Sequence, residues 1–128
     1  MTQVKAQLNG LRISPRKVRL LARLIRGKNV DVALDQLAHF AKRSSPQLTK
    51  LVQSAIANAH NNYKMDRATL IIEDIQVDEG IKMKRFQPKG FGRANPIHKK
   101  TSRVRLVLSD KPVALSRTAR TKSAQASA

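Results

Sequence analysis

The sequence has no cysteine and no tryptophan, and its aromatic residues are Phe40, Tyr63, Phe86 and Phe91. Without cysteine there is no disulfide framework, no thiolate nucleophile and no cysteine-ligated zinc site. No apolar run approaches the ~18 residues that a membrane-crossing helix needs, so no membrane partner is expected. The opening MTQVKAQLNG lacks the apolar core of a secretory signal, and a cytoplasmic location is expected. Acids are scarce: 8 Asp and Glu stand against 26 Lys and Arg, a formal net charge of +18 over 128 residues. Positive charge at that density repels itself. A polyanion is the simplest partner that relieves the repulsion, and the abundant intracellular polyanions are nucleic acids.

What charge there is has been sorted along the chain. Residues 1–28 carry eight basic residues and no acid, and residues 81–109 carry nine basic residues and no acid. Seven of the eight acids fall between Asp31 and Glu79. A merely solubilising surface mixes the two signs. Sorting them predicts two binding segments flanking a near-neutral body. Residues 1–110 read as one domain, including a protruding segment at 80–102. The stretch 111–128, rich in Ser, Thr, Ala and Lys, has too few large apolar residues to offset its ordering entropy, and is expected to be a basic tail without fixed structure of its own.

Periodicity predicts three helices and three strands. Val4, Ala6 and Leu8 alternate with Lys5, Gln7 and Asn9, the period of a half-buried strand, and Gly10 allows a bend after it. Ser14-Pro15 is a helix start, with Gly27 as the stop. At 100° per residue, Arg16, Arg19, Arg23 and Arg26 share an arc of about 80°, and Val18, Leu20, Leu21, Leu24 and Ile25 are expected to centre on the opposite, buried side. Such a stripe is often only a solvated face. Four arginines without an acid at i+4 repel one another, however, and an anionic partner reverses the sign of that term. A second helix is expected over Val30–Phe40, with Asp31 and Asp35 in its first turns. A third opens at Ser45-Pro46 and repeats Leu48, Leu51, Val52, Ala55, Ile56 and Ala59 at three and four residues, with a left-handed stop at Asn61-Asn62. Leu70–Val77 predicts a strand with a bulge where the alternation slips at Glu73-Asp74. Val104, Leu106 and Leu108 mark the last strand.

The segment GIKMKRFQPKGFGRANPIHKKTS, 80–102, joins the last two strands. A loop of that length without structure of its own is uncommon in a compact domain. Glycines and prolines near its middle predict a turn. Eleven residues out and eleven back give a finger about 35 Å long. An isolated two-stranded hairpin is marginal in water, so the finger is expected to be ordered by a partner. If all nine basic residues from Lys82 to Arg105 met phosphates, affinity would fall about four decades between 50 and 200 mM salt. Phe86 either anchors the hairpin to the core or stacks on an unpaired base. Phe91, between two glycines, suits stacking better.

Catalysis finds little support. His39, His60 and His98 have no metal-ligand spacing, Asp78 and Glu79 are adjacent rather than opposed, and Gly90-Phe91-Gly92 lacks the context of a phosphate-binding loop. No enzyme activity, cofactor or metal is expected.

The runs SPRKVRLLARLIRGK (14–28), SAIANAHNN (54–62), VDEG (77–80), MKR (83–85), GRA (92–94) and KKTS (99–102) occur in this order. Together they resemble the family of large-ribosomal-subunit protein twenty-two, of the bacterial type, over about residues 4–110. The resemblance implies an α+β fold, a three-stranded antiparallel sheet packed on three helices, with a long protruding β-hairpin. It implies a structural role in the large subunit, binding of large-subunit (23S) rRNA, help in assembly, and a hairpin tip lining the peptide exit tunnel beside large-subunit protein four and the nascent peptide. By position, MKR places Met83, Lys84 and Arg85 on the arm near the tunnel constriction. GRA places Gly92, Arg93 and Ala94 at the tip, with Lys89, Gly90 and Phe91. SPRK places Arg16 and Lys17 at the start of an rRNA-contacting helix. The candidate rRNA-binding set is Arg12, Arg16, Lys17, Arg19, Arg23, Arg26, Lys82, Lys84, Arg85, Lys89, Arg93, Lys99, Lys100 and Arg103. The sequence departs from the family pattern at Gly90-Phe91, where a small or basic pair is expected, at Asn95-Pro96, and at Arg103, where relatives commonly carry His. The alternative reading is a DNA-architectural protein whose basic arm enters the minor groove.

Overall fold

The computed structural model describes residues 2–110. The expectation for 111–128 lies outside them. Strand β1 (Gln3–Leu11) leads into helix α1 (Pro15–Ile25), followed by α2 (Val30–His39) and α3 (Ser45–Tyr63). After a short turn come β2 (Ile71–Glu79), β3 (Met83–Pro88), β4 (Ala94–Lys99) and β5 (Ser102–Ser109). The fold is α+β. One antiparallel sheet has the order β1-β5-β2, and β3 pairs with β4 as a separate hairpin.

One face of the sheet is apolar; α1 and α3 pack on it, and α2 packs against those two helices. Val4 of β1, Val104, Leu106 and Leu108 of β5, and Ile72, Ile75 and Val77 of β2 are buried on it against Val18, Leu21 and Ile25 of α1, Val30, Ala33 and Leu37 of α2, and Leu48, Val52, Ala55 and Ala59 of α3. Strict alternation would bury every second residue, yet Ile72 and Ile75, three apart, both point inward. The register against β5 shifts between Ile72 and Asp74. That extra residue is the bulge expected at Glu73-Asp74, and it lets both isoleucines face the core. The same device acts in β1. The register shifts between Leu8 and Leu11, and Gly10 takes φ +69°, a backbone conformation that glycine adopts without strain. Leu11 is thereby returned to the core.

The helix ends follow the expected signals with three differences. Ser14 and Pro15 start α1, but the Ser14 hydroxyl makes no cap bond. Asn29, which the sequence reading passed over, caps α2 by accepting from the Asp31 amide at 3.0 Å. The stop expected at Asn61-Asn62 falls later, because α3 runs to Tyr63 and Lys64 takes the left-handed conformation. Met65 is the reason. It is buried and its amide donates to the Ala59 carbonyl at 3.1 Å, so the chain must continue far enough to turn Met65 inward.

The hairpin continues the β2–β5 pair outward. Glu79 pairs with Ser102 and Met83 with Lys99, so residues 80–82 face only 100–101. This inequality separates hairpin from sheet. Beyond it each arm holds 6 paired residues, about 20 Å of ladder. A short turn over Gly90–Gly92 forms the tip. The finger expected at 80–102 is therefore a ladder of moderate length on a root whose two sides differ in length.

Candidate nucleic-acid interface

The two basic segments meet at the hairpin root. Leu11 of β1 pairs with Ser102 of β5, and the Ser102 hydroxyl donates to the Ile13 carbonyl. A hollow of about 670 Å³ opens there, and Arg12, Arg85 and Arg103 line it with Gly10, Ile81 and Met83. Arg12 comes from the first segment, and Arg85 and Arg103 from the second. About ninety residues of sequence separate Arg12 from Arg103, and the strand pairing brings them to one rim.

The root itself is locked by hydrogen bonds. The Gly80 amide donates to the Thr101 carbonyl at 2.8 Å, and the Thr101 hydroxyl donates to the Ile81 carbonyl at 2.6 Å. Past this point the hairpin has no core. From Lys84 to Lys100 every residue is exposed. Phe86 is 74 % exposed and Phe91 fully so. The reading of Phe86 as an anchor to the core is overturned: its cross-strand partner is Pro96 in a two-stranded ladder, and no layer of the domain lies over it. Phe91 takes φ +61° between Gly90 and Gly92. A non-glycine residue in that region is uncommon and costs of order 1 kcal/mol. The turn thus holds an aromatic ring out into solvent at the tip.

Acids reach only the root of the finger. Lys82 meets Glu79 at 3.7 Å and Arg105 meets Asp78 at 3.8 Å. Among the described residues, Lys84, Arg85, Lys89, Arg93, Lys99, Lys100 and Arg103 form no ion pair. Lys89 and Arg93 sit at the far end of the ladder, joined by the Lys89 amide donating to the Arg93 carbonyl at 2.7 Å, and are remote from α1.

The arginine stripe of α1 is divided. β2 is an outer strand, and its free carbonyls are an edge that needs covering. The α1–α2 connection covers the first part: Gly27 donates to the Ile72 carbonyl at 2.8 Å, and the Ile72 amide to the Lys28 carbonyl at 3.0 Å. Arg26 and Arg19 cover the rest by donating to the carbonyls of Ile75 and Val77, and Arg26 also meets Asp74 at 3.3 Å. Arg16 and Arg23 have no such partner among the described residues. Half of the stripe therefore has a structural task that its spacing alone did not reveal. Sequence reading also passed over Lys42 and Arg43, which the loop before α3 sets beside Arg12 and Lys17 of α1's start. Their adjacency in the chain to a helix start was the available signal.

His39, His60 and His98 stand apart on α2, α3 and β4, and no group of three or more metal-ligating side chains exists among the described residues. No helix among them is long and apolar enough to cross a membrane.

A small α+β domain whose acid-free cationic hairpin extends beyond its own core has the build of a ribonucleoprotein component. The sequence agrees. The family described as Ribosomal protein L22p/L17e matches residues 6–109, and the chain belongs to that family. It is a structural ribosomal protein of the large subunit, acting in translation.

Proposed function

We propose that this protein binds large-subunit (23S) rRNA through two cationic surfaces joined at the hairpin root, helps the RNA assemble, and sends its hairpin tip to the wall of the peptide exit tunnel. The observation that carries the reading is the finger itself: every residue over 84–100 is exposed, and none is an acid. Such a limb gains nothing from the domain's own core. It gains from phosphates, which neutralise it and release counterions.

In this reading Arg12, Arg85 and Arg103 grip phosphates around the root hollow. Arg16, Lys17 and Arg23 do so from α1, and Arg19 and Arg26 add their remaining donors. Lys82, Lys84, Lys99 and Lys100 follow the arms. Lys89, Gly90, Phe91, Gly92, Arg93 and Ala94 form the tip, near large-subunit protein four and the nascent peptide. Phe86 and Phe91 present faces on which unpaired bases stack. The protein works on the cytoplasmic ribosome as a scaffold, without catalysis or cofactor.

The test is competition. The full chain is bound to a structured large-subunit rRNA fragment and challenged with duplex DNA of equal phosphate content. Retention of the rRNA at physiological salt, and co-sedimentation with large subunits through a salt wash, is the expected result. Equal competition by the duplex would favour a DNA-architectural role instead.

A further inference from the structure

α1 has a second exposed flank, turned away from β2. Leu20 on it is 62 % exposed, and Phe40, in the loop after α2, is 44 % exposed. Between them runs a groove of about 620 Å³ whose apolar lining includes Ile13, Leu20, Leu24 and Phe40. Arg12, Lys17, Lys42 and Arg43 stand around it, and no acidic residue lines it. Its hydroxyl groups are those of Ser14 and Ser44, the residues that precede α1 and α3, and neither bonds to its own helix. Ser44 is 3 % exposed and still lines the groove. Neither helix has an acid in its first turn.

We propose that this groove docks a polypeptide segment of a neighbouring protein, one whose leucine-like or aromatic side chains are flanked by carboxylates. The floor decides between a peptide and an RNA. Ile13, Leu20 and Leu24 are aliphatic, and Phe40 is the one aromatic ring beside them. They offer burial but no hydrogen-bonding groups for the edges of a base, which would be left unpaired there. An apolar side chain loses nothing in the same place. The rim decides the flanking chemistry: four cations without an acid select carboxylates. The Ser14 and Ser44 hydroxyls and the first-turn amides behind them supply further donors to such a group. Other occupants fit worse. Residues 111–128 of this chain carry Lys111, Arg117, Arg120 and Lys122 and no acid, so the rim repels them. A second copy in a two-fold contact would set this cationic rim against itself. The groove shares Arg12 and Lys17 with the rRNA contacts assigned above, so its test reads the apolar floor, which those contacts do not use.

The test uses the full chain with labelled methyl groups at physiological ionic strength. The probes are a short peptide alternating Glu or Asp with Leu and Phe, the same peptide with Ser in place of Leu and Phe, and an oligoadenylate of equal charge. The first peptide is expected to bind about tenfold more tightly than the second and to shift the Ile13, Leu20 and Leu24 methyl signals. Leu20→Ser, at an exposed position that leaves the core untouched, is expected to remove that preference while rRNA binding and thermal unfolding stay as they were. Equal binding of the two peptides would overturn the proposal. So would oligoadenylate shifting the same methyl signals more tightly than the peptide, or self-association that Leu20→Ser abolishes.

Discussion

Gly80 and Thr101 face each other across the root of the hairpin so closely that a single methyl group on Gly80 would overlap the Thr101 hydroxyl and lie 3.3 Å from its carbonyl carbon. Thr101 is buried, and its hydroxyl is held by the Ile81 carbonyl at 2.6 Å. The hydroxyl therefore cannot swing aside without giving up that bond. The pair is the joint where a two-layer domain becomes a bare ladder.

Gly80→Ala is expected to lower stability by about 1–2 kcal/mol, as overpacking does. Thr101→Ala is expected to cost about 1 kcal/mol for the lost bond. Because Thr101→Ala removes the hydroxyl that the new methyl group would strike, the double variant should cost less than the two single costs added. Denaturant unfolding of the four proteins measures this cycle. Strict additivity would show that the two residues do not meet.

Arg16 and Arg26 lie on one helix face but have different tasks. Arg26 bonds to the Ile75 carbonyl and meets Asp74, while Arg16 has neither kind of partner among the described residues. Arg26→Ala should destabilise the fold by about 1 kcal/mol through the uncovered edge of β2 as well as weakening rRNA binding. Arg16→Ala should weaken rRNA binding with the melting temperature unchanged. A melting shift of equal size in both would remove the distinction.

The limits of the sequence have physical causes. Alternation in Val4–Leu8 and Val104–Leu108, the three-and-four repeat of α3 and the slip at Glu73-Asp74 are local signals, and each element formed where its signal lay. The three helices and three sheet strands followed from them, while the α+β class was implied by the family resemblance. That Arg26 would cover a carbonyl of β2, 49 positions away, depended on the packing of α1 against an outer strand, which no periodicity encodes. Leu20, expected on the buried side of α1, is instead exposed, and it forms one groove with Lys42 and Arg43 for the same reason. The stop of α3 was misplaced because Met65, beyond the obvious asparagines, had to reach the core. Of the candidate site, the charge segregation was legible in the chain, while the junction of Arg12, Arg85 and Arg103 at one hollow was not.

Lys84 and Arg85 test the electrostatic reading of the finger. Each phosphate contact contributes about 0.7–0.9 to the slope of log affinity against log salt. Replacing both with Ala should lower the slope by about one to two units. Exposed ladder positions tolerate the change, so unfolding should move little. A titration with an unchanged slope would place these two side chains away from phosphate.

The finger also makes a prediction about order. Its ladder joins only two strands, and neither face is covered by another layer, since residues 84–100 are exposed throughout. Two-stranded ribbons of this kind are marginal by themselves in water, whereas β5 and β2 are backed by the helical layer, through α1 and α3. In the free chain, amide exchange should therefore be fast across Lys84–Lys99 and slow across Val104–Leu108, with the boundary at the Gly80–Thr101 joint. Binding to rRNA should slow exchange in the arms and protect the peptide bonds after Lys84, Arg85, Lys89 and Arg93 from trypsin. The Leu106 region should hardly change, because its protection already comes from the core. If the arms of the free chain exchanged as slowly as β5, the ladder would be stable without a partner, and RNA would have no part in giving it shape.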